Sequence, residues 1–180
     1  YTGANKLTVI IAAIGLIVYV GIYSLWLKRH SIYGTLVGSI SGAVPPVIGY
    51  CSVSNQFDTG ALVLFLILSI WQIPHSYAIA IYRFSDYANA HIPVLPIRKG
   101  IAYTKNQMLI YVIAFVIATL MLTFLHYTGY IYFVSALTLG IFWIRLSIHG
   151  FSKSTDDKKW ARQSFAFSII CKIGRASCRE

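Results

Sequence analysis

The stretch that decides the fold runs from Ser69 to Lys99 and reads SIWQIPHSYAIAIYRFSDYANAHIPVLPIRK. It starts as the end of a long apolar run, and its later turns fill with histidine, tyrosine, arginine and aspartate. At about 3.6 residues per helical turn, one stripe of this helix carries Trp71, His75, Ala78, Tyr82 and Asp86.

Two prolines end the predicted helix, and basic side chains follow them. Pro93 and Pro96 prevent a regular continuation, and Arg98, Lys99 and slightly later Lys105 come next. A carboxylate, imidazoles, aromatic rings and cations therefore converge where an apolar helix leaves the bilayer. Ionisable groups in that position are functional candidates, so we predict the site at this rim.

The composition places the chain among membrane proteins. Of its 180 residues, 57% are hydrophobic and only 11% are charged, whereas a soluble domain is about a quarter charged. Apolar runs such as Val9–Leu27, Ala61–Ile81 and Met108–Leu125 approach the roughly 20 residues that cross a bilayer. The net charge of +10 lies in short connections, which favours a topology signal and argues against a nucleic-acid partner.

Six apolar segments predict an all-α polytopic transmembrane bundle. They run over Leu7–Leu27, Tyr33–Val53, Ala61–Phe84, Gln107–Leu125, Tyr130–Ile148 and from about Gln163 onward. Connections after the first, third and fifth segments are basic, and those after the second and fourth are not. The positive-inside rule therefore places the basic connections on the cytoplasmic side. We interpret the run Asp156–Lys159 as a solvated turn.

The second segment has a glycine groove followed by paired prolines. Gly34, Gly38 and Gly42 recur every fourth residue and let a neighbouring helix approach closely. Pro45 and Pro46 are expected to break the helix. A broken helix beside a wet cavity and close packing around a proline kink both fit the pattern.

Both ends of the chain predict a fragment. It opens on Tyr1, and its tail, Ile173–Glu180, reads IGRASCRE, which we interpret as translated sequencing adapter. The expected bundle therefore spans residues 1–172. The cysteines, Cys51, Cys171 and Cys178, have no spacing that predicts a disulfide framework or a zinc site.

Asp86 is the strongest single candidate for a functional residue. It is the only acidic residue expected in the cytoplasmic half of the bundle. One carboxylate is too few to hold magnesium alone, but it suits half of a magnesium–diphosphate site, in which substrate oxygens and water complete the shell. A surface pair with Arg83 at i,i+3 explains it equally well.

The histidines also allow two readings. His75 follows Pro74 on the apolar helix, and Trp71, Gln72 and Ser76 surround it. It is either a packed histidine or the wall of a polar cavity. His30 and His91 lie in the basic connections, where an exposed loop histidine is the simpler reading of each.

Four stretches resemble the UbiA superfamily of intramembrane prenyltransferases, and in particular its heme-modifying branch. They are LKRHSIYGT (Leu27–Thr35), GAVPPVIGYC (Gly42–Cys51), WQIPHSYAIAIYRFSDYANAHIPVLP (Trp71–Pro96) and WARQSFAFSII (Trp160–Ile170). The resemblance covers Leu7–Ile170.

The resemblance implies a UbiA-type bundle of nine helices, about six of which are present here. It implies transfer of a farnesyl group from farnesyl diphosphate to a vinyl group of heme b, with Mg2+ assisting the diphosphate. The product would serve a terminal oxidase, and the assembly factors of that oxidase are expected partners of the protein. The site would face the cytoplasm from a bacterial inner membrane.

The resemblance also assigns residues. Asp86 corresponds to the remaining acid of the second aspartate motif and is the expected magnesium ligand; Tyr82 and Trp71 would face a cationic intermediate. Lys28 and Arg29 would contact the diphosphate, with Arg98 and Lys99 as further candidates. Heme contacts would come from His30, His75 and His91.

Two departures from the family pattern qualify this assignment. Ala90 stands where other branches carry a second acid. The first aspartate-rich motif would lie upstream of Tyr1, so we expect this chain to be inactive alone. A UbiA-type enzyme acting on an aromatic acid or quinone precursor is one alternative, which Ala90 disfavours. A transporter is the other, suggested only by the glycine and proline segment.

Overall fold

The computed structural model of the chain describes residues 5–27, 31–152 and 154–176, with side chains as far as 172. Its helices are α1 (Lys6–Ile17, continued by a π-helical segment, Val18–Leu27), α2 (Gly34–Ser54), α3 (Thr59–Tyr82), α4 (Phe84–Asn89), α5 (Leu95–Lys99), α6 (Ile101–Phe124), α7 (Tyr130–His149) and α8 (Asp157–Ala176). Within these ranges, five spans are long and apolar enough to cross a membrane. The prediction of an all-α polytopic bundle is confirmed.

Helix α3 lies at the centre of the bundle. It packs against α2 on one side and against α6 and α8 on the others. Large rings fill the core beside it: Trp71 of α3 shares a cluster with Phe115 of α6 and Trp143 of α7, whose rings meet edge to face at 5.4 Å. The helix that carries the candidate site is therefore held on three sides by apolar packing.

Helix α2 runs unbroken through Pro45 and Pro46, so the expected break is wrong. Its glycine face explains how the helix is held despite two missing N–H donors. A Cβ at Gly38 would lie 2.9 Å from the ring of Tyr23, and one at Gly42 would collide with the side chain of Gln72. Neighbouring helices thus pack against the backbone of α2, a setting in which membrane helices tolerate proline.

At the end of the bundle opposite the basic connections, Asp58 caps α3. Its Oδ1 accepts a hydrogen bond from the backbone N–H of Ala61 at 2.9 Å, and its Oδ2 accepts one from the Tyr50 hydroxyl at 2.8 Å. The Ala61 N–H first, and then the Tyr50 hydroxyl, hold the pKa of Asp58 below its ordinary value. The cap fixes where α3 enters the membrane relative to α2.

At the basic end, Lys105 joins three helices. Helix α6 begins directly after Gly100, so Lys105 belongs to its second turn rather than to a loop. Its Nζ donates to the carbonyl of Gly150 and to Asp157 Oδ1, each at 2.5 Å, and lies 5.2 Å from the centre of the Trp160 ring. Lys105 is 9% exposed and therefore stabilises the contact between α6, α7 and α8.

The pair of Lys105 and Asp157 corrects three expectations. Lys105 does not join the rim cations. Asp157 lies in the first turn of α8 and pairs with Lys105 instead of sitting in a solvated turn. Asp86 is consequently not the only acidic residue at this end of the bundle. Each expectation failed because the pairing partners are 52 residues apart in the chain.

We predict that Gly42→Ala destabilises the protein by about 1–3 kcal/mol, the usual cost of overpacking. The added Cβ would force Gln72 away from α2. The matched control is Gly49→Ala in the same helix, where no described atom lies within 4 Å of the new Cβ. That change should be neutral or slightly stabilising. Thermal midpoints in detergent measure both, and equal shifts would contradict the packing argument.

We also predict that Lys105→Met lowers the free energy of unfolding by about 1–3 kcal/mol. A fully buried pair would lose more when broken, but Asp157 is partly exposed and recovers some hydration. In a double-mutant cycle, Lys105→Met combined with Asp157→Asn should cost less than the sum of the single changes. Additive losses would show that the two side chains do not interact.

Candidate functional site

Four aromatic side chains join α3 to α8 in the membrane half nearer the basic end. The imidazole of His75 stacks on Trp71, with ring centres 4.8 Å apart and planes 24° apart. The ring of Phe165 of α8 lies 4.8 Å from the His75 ring, with the planes tilted by 35°, and it meets Tyr82 edge to face at 5.7 Å. The predicted stripe from Trp71 to Tyr82 therefore faces α8.

Ser168 of α8 forms hydrogen bonds with this aromatic cluster. Its carbonyl accepts a hydrogen bond from Trp71 Nε1 at 2.9 Å, and its hydroxyl oxygen lies 2.7 Å from Nδ1 of His75. The same hydroxyl donates to the carbonyl of Phe165 at 2.6 Å. Ser168 is fully buried, so these bonds form away from water and are correspondingly strong.

The sequence reasoning singled out Trp71, His75 and Tyr82 but missed Phe165 and Ser168. Ser168 lies 97 residues from Trp71, and no periodicity connects positions so far apart. The only signal in the sequence was the stretch Trp160–Ile170, which contains both missed residues and carries part of the family resemblance.

Asp86 does not continue the stripe, and this part of the prediction is wrong. Helix α3 ends at Tyr82 because Arg83 leaves helical geometry, at φ −101° and ψ 24°. Asp86 instead lies in the first turn of α4, and its Oδ2 accepts a hydrogen bond from Arg83 Nη1 at 3.0 Å. Hydrogen bonding to Asp86 raises the pKa of Arg83.

The Arg83–Asp86 pair is open to solvent. Both side chains are 60% exposed, and the guanidinium of Arg83 also lies 5.6 Å from the centre of the Tyr82 ring. The surface pair weighed in the sequence analysis is therefore present. An exposed carboxylate held by one neighbouring arginine is still accessible to a ligand that brings its own cations.

The described residues do not build a complete metal site. In the ranges that the structure covers, no three His, Cys, Asp or Glu side chains come together in a way that could hold a metal ion. Asp86 can supply one ligand to a magnesium ion, and substrate oxygens and water would have to supply most of the others.

The remaining rim candidates among the described residues lie on α5 and in the connection before it. Arg98 and Lys99 occupy the last turn of α5, and both are exposed. Arg98 shares a depression of about 400 Å³ with Tyr87 and His91, and His91 adopts a left-handed backbone at φ 53°. The candidates Lys28, Arg29 and His30 lie outside the described residues.

The larger cavity lies away from the rim. It has a volume of about 1170 Å³ and extends from the middle of α3 toward the opposite end of the bundle, where Tyr50, His126 and Tyr127 line it. Trp71 is the one predicted site residue on its wall. Trp71 therefore belongs both to the wall of this cavity and to the cluster around His75.

Comparison with known proteins identifies close relatives. The model of the UbiA prenyltransferase family matches residues 2–170. The chain is 56% identical to a protein from Pectobacterium atrosepticum named protoheme IX farnesyltransferase, over 94% of this chain and 57% of that protein. It is 58% identical to one of the same name from Yersinia pseudotuberculosis serotype O:1b, with the same coverage. The chain thus spans little more than half the length of these relatives. No solved structure matches it.

We predict that Asp86→Asn and Arg83→Gln each leave the thermal midpoint of the protein unchanged. The pair is exposed, and solvent-exposed ion pairs contribute little to folding. Differential scanning fluorimetry in detergent measures the midpoints, with Lys105→Met as the variant expected to show a clear loss. A drop at Asp86 as large as that at Lys105 would assign the carboxylate a structural role.

Proposed function

The chain belongs to the UbiA prenyltransferase family, and from this membership we propose that the protein transfers a farnesyl group from farnesyl diphosphate to a vinyl group of heme b. The observation that carries the proposal is 56–58% identity, over 94% of this chain, to relatives named protoheme IX farnesyltransferase. The product would be heme O, used by a terminal oxidase whose assembly factors are candidate partners.

The proposed reaction begins with loss of diphosphate. The bond between farnesyl C1 and oxygen breaks, and the diphosphate leaves with the electron pair. Cationic side chains are most effective where this negative charge grows. The exposed guanidinium of Arg98 and ammonium of Lys99 support such a role for these two residues. Lys28 and Arg29 of the first connection are proposed for the same role from the sequence alone.

Magnesium bound with the diphosphate would neutralise part of the same charge. Asp86 is the residue of this chain that would hold it, through one carboxylate. Because the described residues offer no second acid beside Asp86, we assign the ion to the substrate complex and not to a preformed protein site.

The allylic cation that remains needs rings around it and little water. Trp71, Tyr82 and Phe165 supply aromatic faces within one continuous cluster, which is the environment that stabilises a cation and delays its quenching. The vinyl carbon of heme b then attacks C1, and water captures the resulting cation and loses a proton. A hydroxyethylfarnesyl chain is formed.

We place the site at the cytoplasmic face of a bacterial inner membrane. The basic connections support this orientation, because positively charged loops stay on the cytoplasmic side. Arg83, Arg98 and Lys99 belong to the connection between α3 and α6, and Arg145 lies near the end of α7 at the same side.

We predict that Asp86→Asn reduces heme O formation by about 100-fold or more, the usual consequence of removing one group that stabilises transition-state charge. The assay supplies heme b, farnesyl diphosphate and Mg2+ to membranes that contain the protein expressed from its complete gene. Chromatography of extracted hemes measures the product.

The matched control is Asp58→Asn, which removes a carboxylate at the opposite end of the bundle. Asparagine is also a good helix N-cap, so this variant should keep both fold and activity. Unchanged product from Asp86→Asn would show that this carboxylate takes no part in turnover. Prenylation of an aromatic acid or a quinone precursor, with heme b left unmodified, would overturn the proposed function itself.

A further inference from the structure

We infer that Gln72 and Ser76 of α3 are positioning residues that hold the water molecule which captures the cation at the end of the proposed reaction. The inference rests on the proposed function, because that reaction consumes one water after the new carbon–carbon bond has formed. It gives a chemical role to a polar row on α3, made of Ser69, Gln72 and Ser76, that neither the aromatic cluster nor the charged rim uses.

The second half of α3 has one face that the described helices leave partly open. The half-buried residues of this half are Gln72, His75, Ser76, Ile79 and Tyr82, whereas the residues between them are buried. Side chains three and four positions apart on a helix are neighbours, about 5–6 Å apart at Cβ. Gln72 and Ser76 therefore share the open face with Tyr82, whose ring is proposed to face the cation.

The hydroxyls of Ser69 and Ser76 lack the hydrogen bond that other serines of the bundle make. Serine hydroxyls that donate to a carbonyl about one turn earlier belong to Ser39, Ser41, Ser147 and Ser168. Within the described ranges, no hydrogen bond is formed by the hydroxyl of Ser69 or of Ser76. Ser69 is 8% exposed, and a bare hydroxyl at that depth is unfavourable unless a small polar molecule pairs with it.

Gln72 also has unused hydrogen-bonding groups. Its amide has two N–H donors and one carbonyl acceptor, and it forms no hydrogen bond with the part of the chain that the structure describes. It nevertheless lies directly against α2: its Nε2 is 2.9 Å from the position that a Cβ of Gly42 would occupy. The amide is therefore fixed by packing, with its donors and acceptor still available.

The backbone of α2 adds two acceptors at this place. Pro45 and Pro46 lie inside the helix and have no N–H. The carbonyls of Ser41 and Gly42, four residues earlier, therefore lose their usual donors. Membrane helices tolerate such prolines where ordered water or a neighbouring side chain supplies the missing donor.

These groups together meet the requirements of a bound water. A buried water makes about 2–4 hydrogen bonds to polar groups. The Gln72 amide, the Ser76 hydroxyl and the two carbonyls of α2 offer that number. Because Gln72 and Ser76 are half-buried, a molecule of the size of water reaches both side chains.

The proposed water lies at the depth of the aromatic cluster. Gln72 follows Trp71 directly, and Ser76 lies six residues before Tyr82 at the end of α3, which is about 9 Å along a helix. The diphosphate, by contrast, is proposed to leave at the charged rim. The polar row therefore holds water beside the rings that surround the cation.

The step that this water performs balances as follows. Once C1 of the farnesyl group has bonded to the outer carbon of a vinyl group, the positive charge rests on the vinyl carbon next to the porphyrin. The oxygen of the held water forms a bond to that carbon, and one of its protons passes to the released diphosphate, the base that the reaction supplies. Without a water in place, the same cation loses a proton from the neighbouring carbon to this base and becomes an alkene.

The experiment measures which of the two products forms. Membranes that contain the protein expressed from its complete gene receive heme b, farnesyl diphosphate and Mg2+, and the extracted hemes are analysed by chromatography and mass spectrometry. The unmodified protein should form the hydroxyethylfarnesyl product. Gln72→Met keeps the length of the side chain but removes its hydrogen bonds. The ratio of the alkene, lighter by one water, to the hydroxylated product should therefore rise about 10-fold.

Further variants separate water binding from packing. Ser76→Ala should raise the same ratio, and Ser76→Thr, which keeps a hydroxyl, should restore it; this pair decides the test if Gln72→Met does not fold. Gln56→Met is the matched control, because Gln56 is exposed in the connection between α2 and α3, and it should change nothing. Thermal midpoints in detergent show that each variant is folded.

Two results would overturn the inference. One is an unchanged product ratio in both Gln72→Met and Ser76→Ala. The other is an equal fall of both products in folded variants, which would place the role of these side chains before the cation forms. Farnesylated heme with an unchanged ratio refutes this inference and leaves the proposed function standing, whereas the absence of any farnesylated heme from the unmodified protein refutes the proposed function.

Discussion

The contact between α3 and α8 is the interaction on which the candidate site depends. Ser168 accepts from the indole of Trp71 through its carbonyl and meets His75 through its hydroxyl, while Phe165 packs against His75 and Tyr82. In a bilayer the hydrophobic effect does not favour contact between helices over contact with lipid, so close packing and interhelical hydrogen bonds hold the helices together. Directional bonds between buried polar groups therefore fix the register of these two helices, and with it the position of every ring in the cluster.

Charge is used in two different ways at the basic end of the bundle. Lys105 is buried, and Gly150, Asp157 and Trp160 occupy its surroundings, so it stabilises the meeting of three helices. Arg83 and Asp86 are exposed and form a surface pair, and the guanidinium of Arg83 also lies 5.6 Å from the centre of the Tyr82 ring. A group whose partners are fixed and desolvated is costly to remove, whereas an exposed pair can exchange its partner for a ligand. This difference leaves the Asp86 carboxylate accessible, whereas the Lys105 ammonium is occupied by its partners.

The glycine face of α2 gives the bundle its shape. Gly38 and Gly42 bring α2 close to Tyr23 and Gln72, and the helix continues through two prolines that would end a helix in water. A broken helix was the feature that suggested a transporter, so an intact α2 removes the support for that alternative. The chain belongs to the UbiA prenyltransferase family, and its described residues form a membrane bundle with an aromatic cluster and exposed charged groups at one end.

The sequence by itself determined the membrane class, the all-α bundle, five of the six predicted membrane segments in the described residues and the alternation of their connections, because each of these depends on local composition and on a period of 3.6 residues. It also singled out Trp71, His75 and Tyr82, which share one face of a single helix. Only the tertiary structure decided that Arg83 ends that helix before Asp86, that Lys105 belongs to Asp157, and that Phe165 and Ser168 complete the cluster. These outcomes depend on which distant helices come into contact and on which polar groups pair in the absence of water, and neither is written in the spacing of residues along the chain.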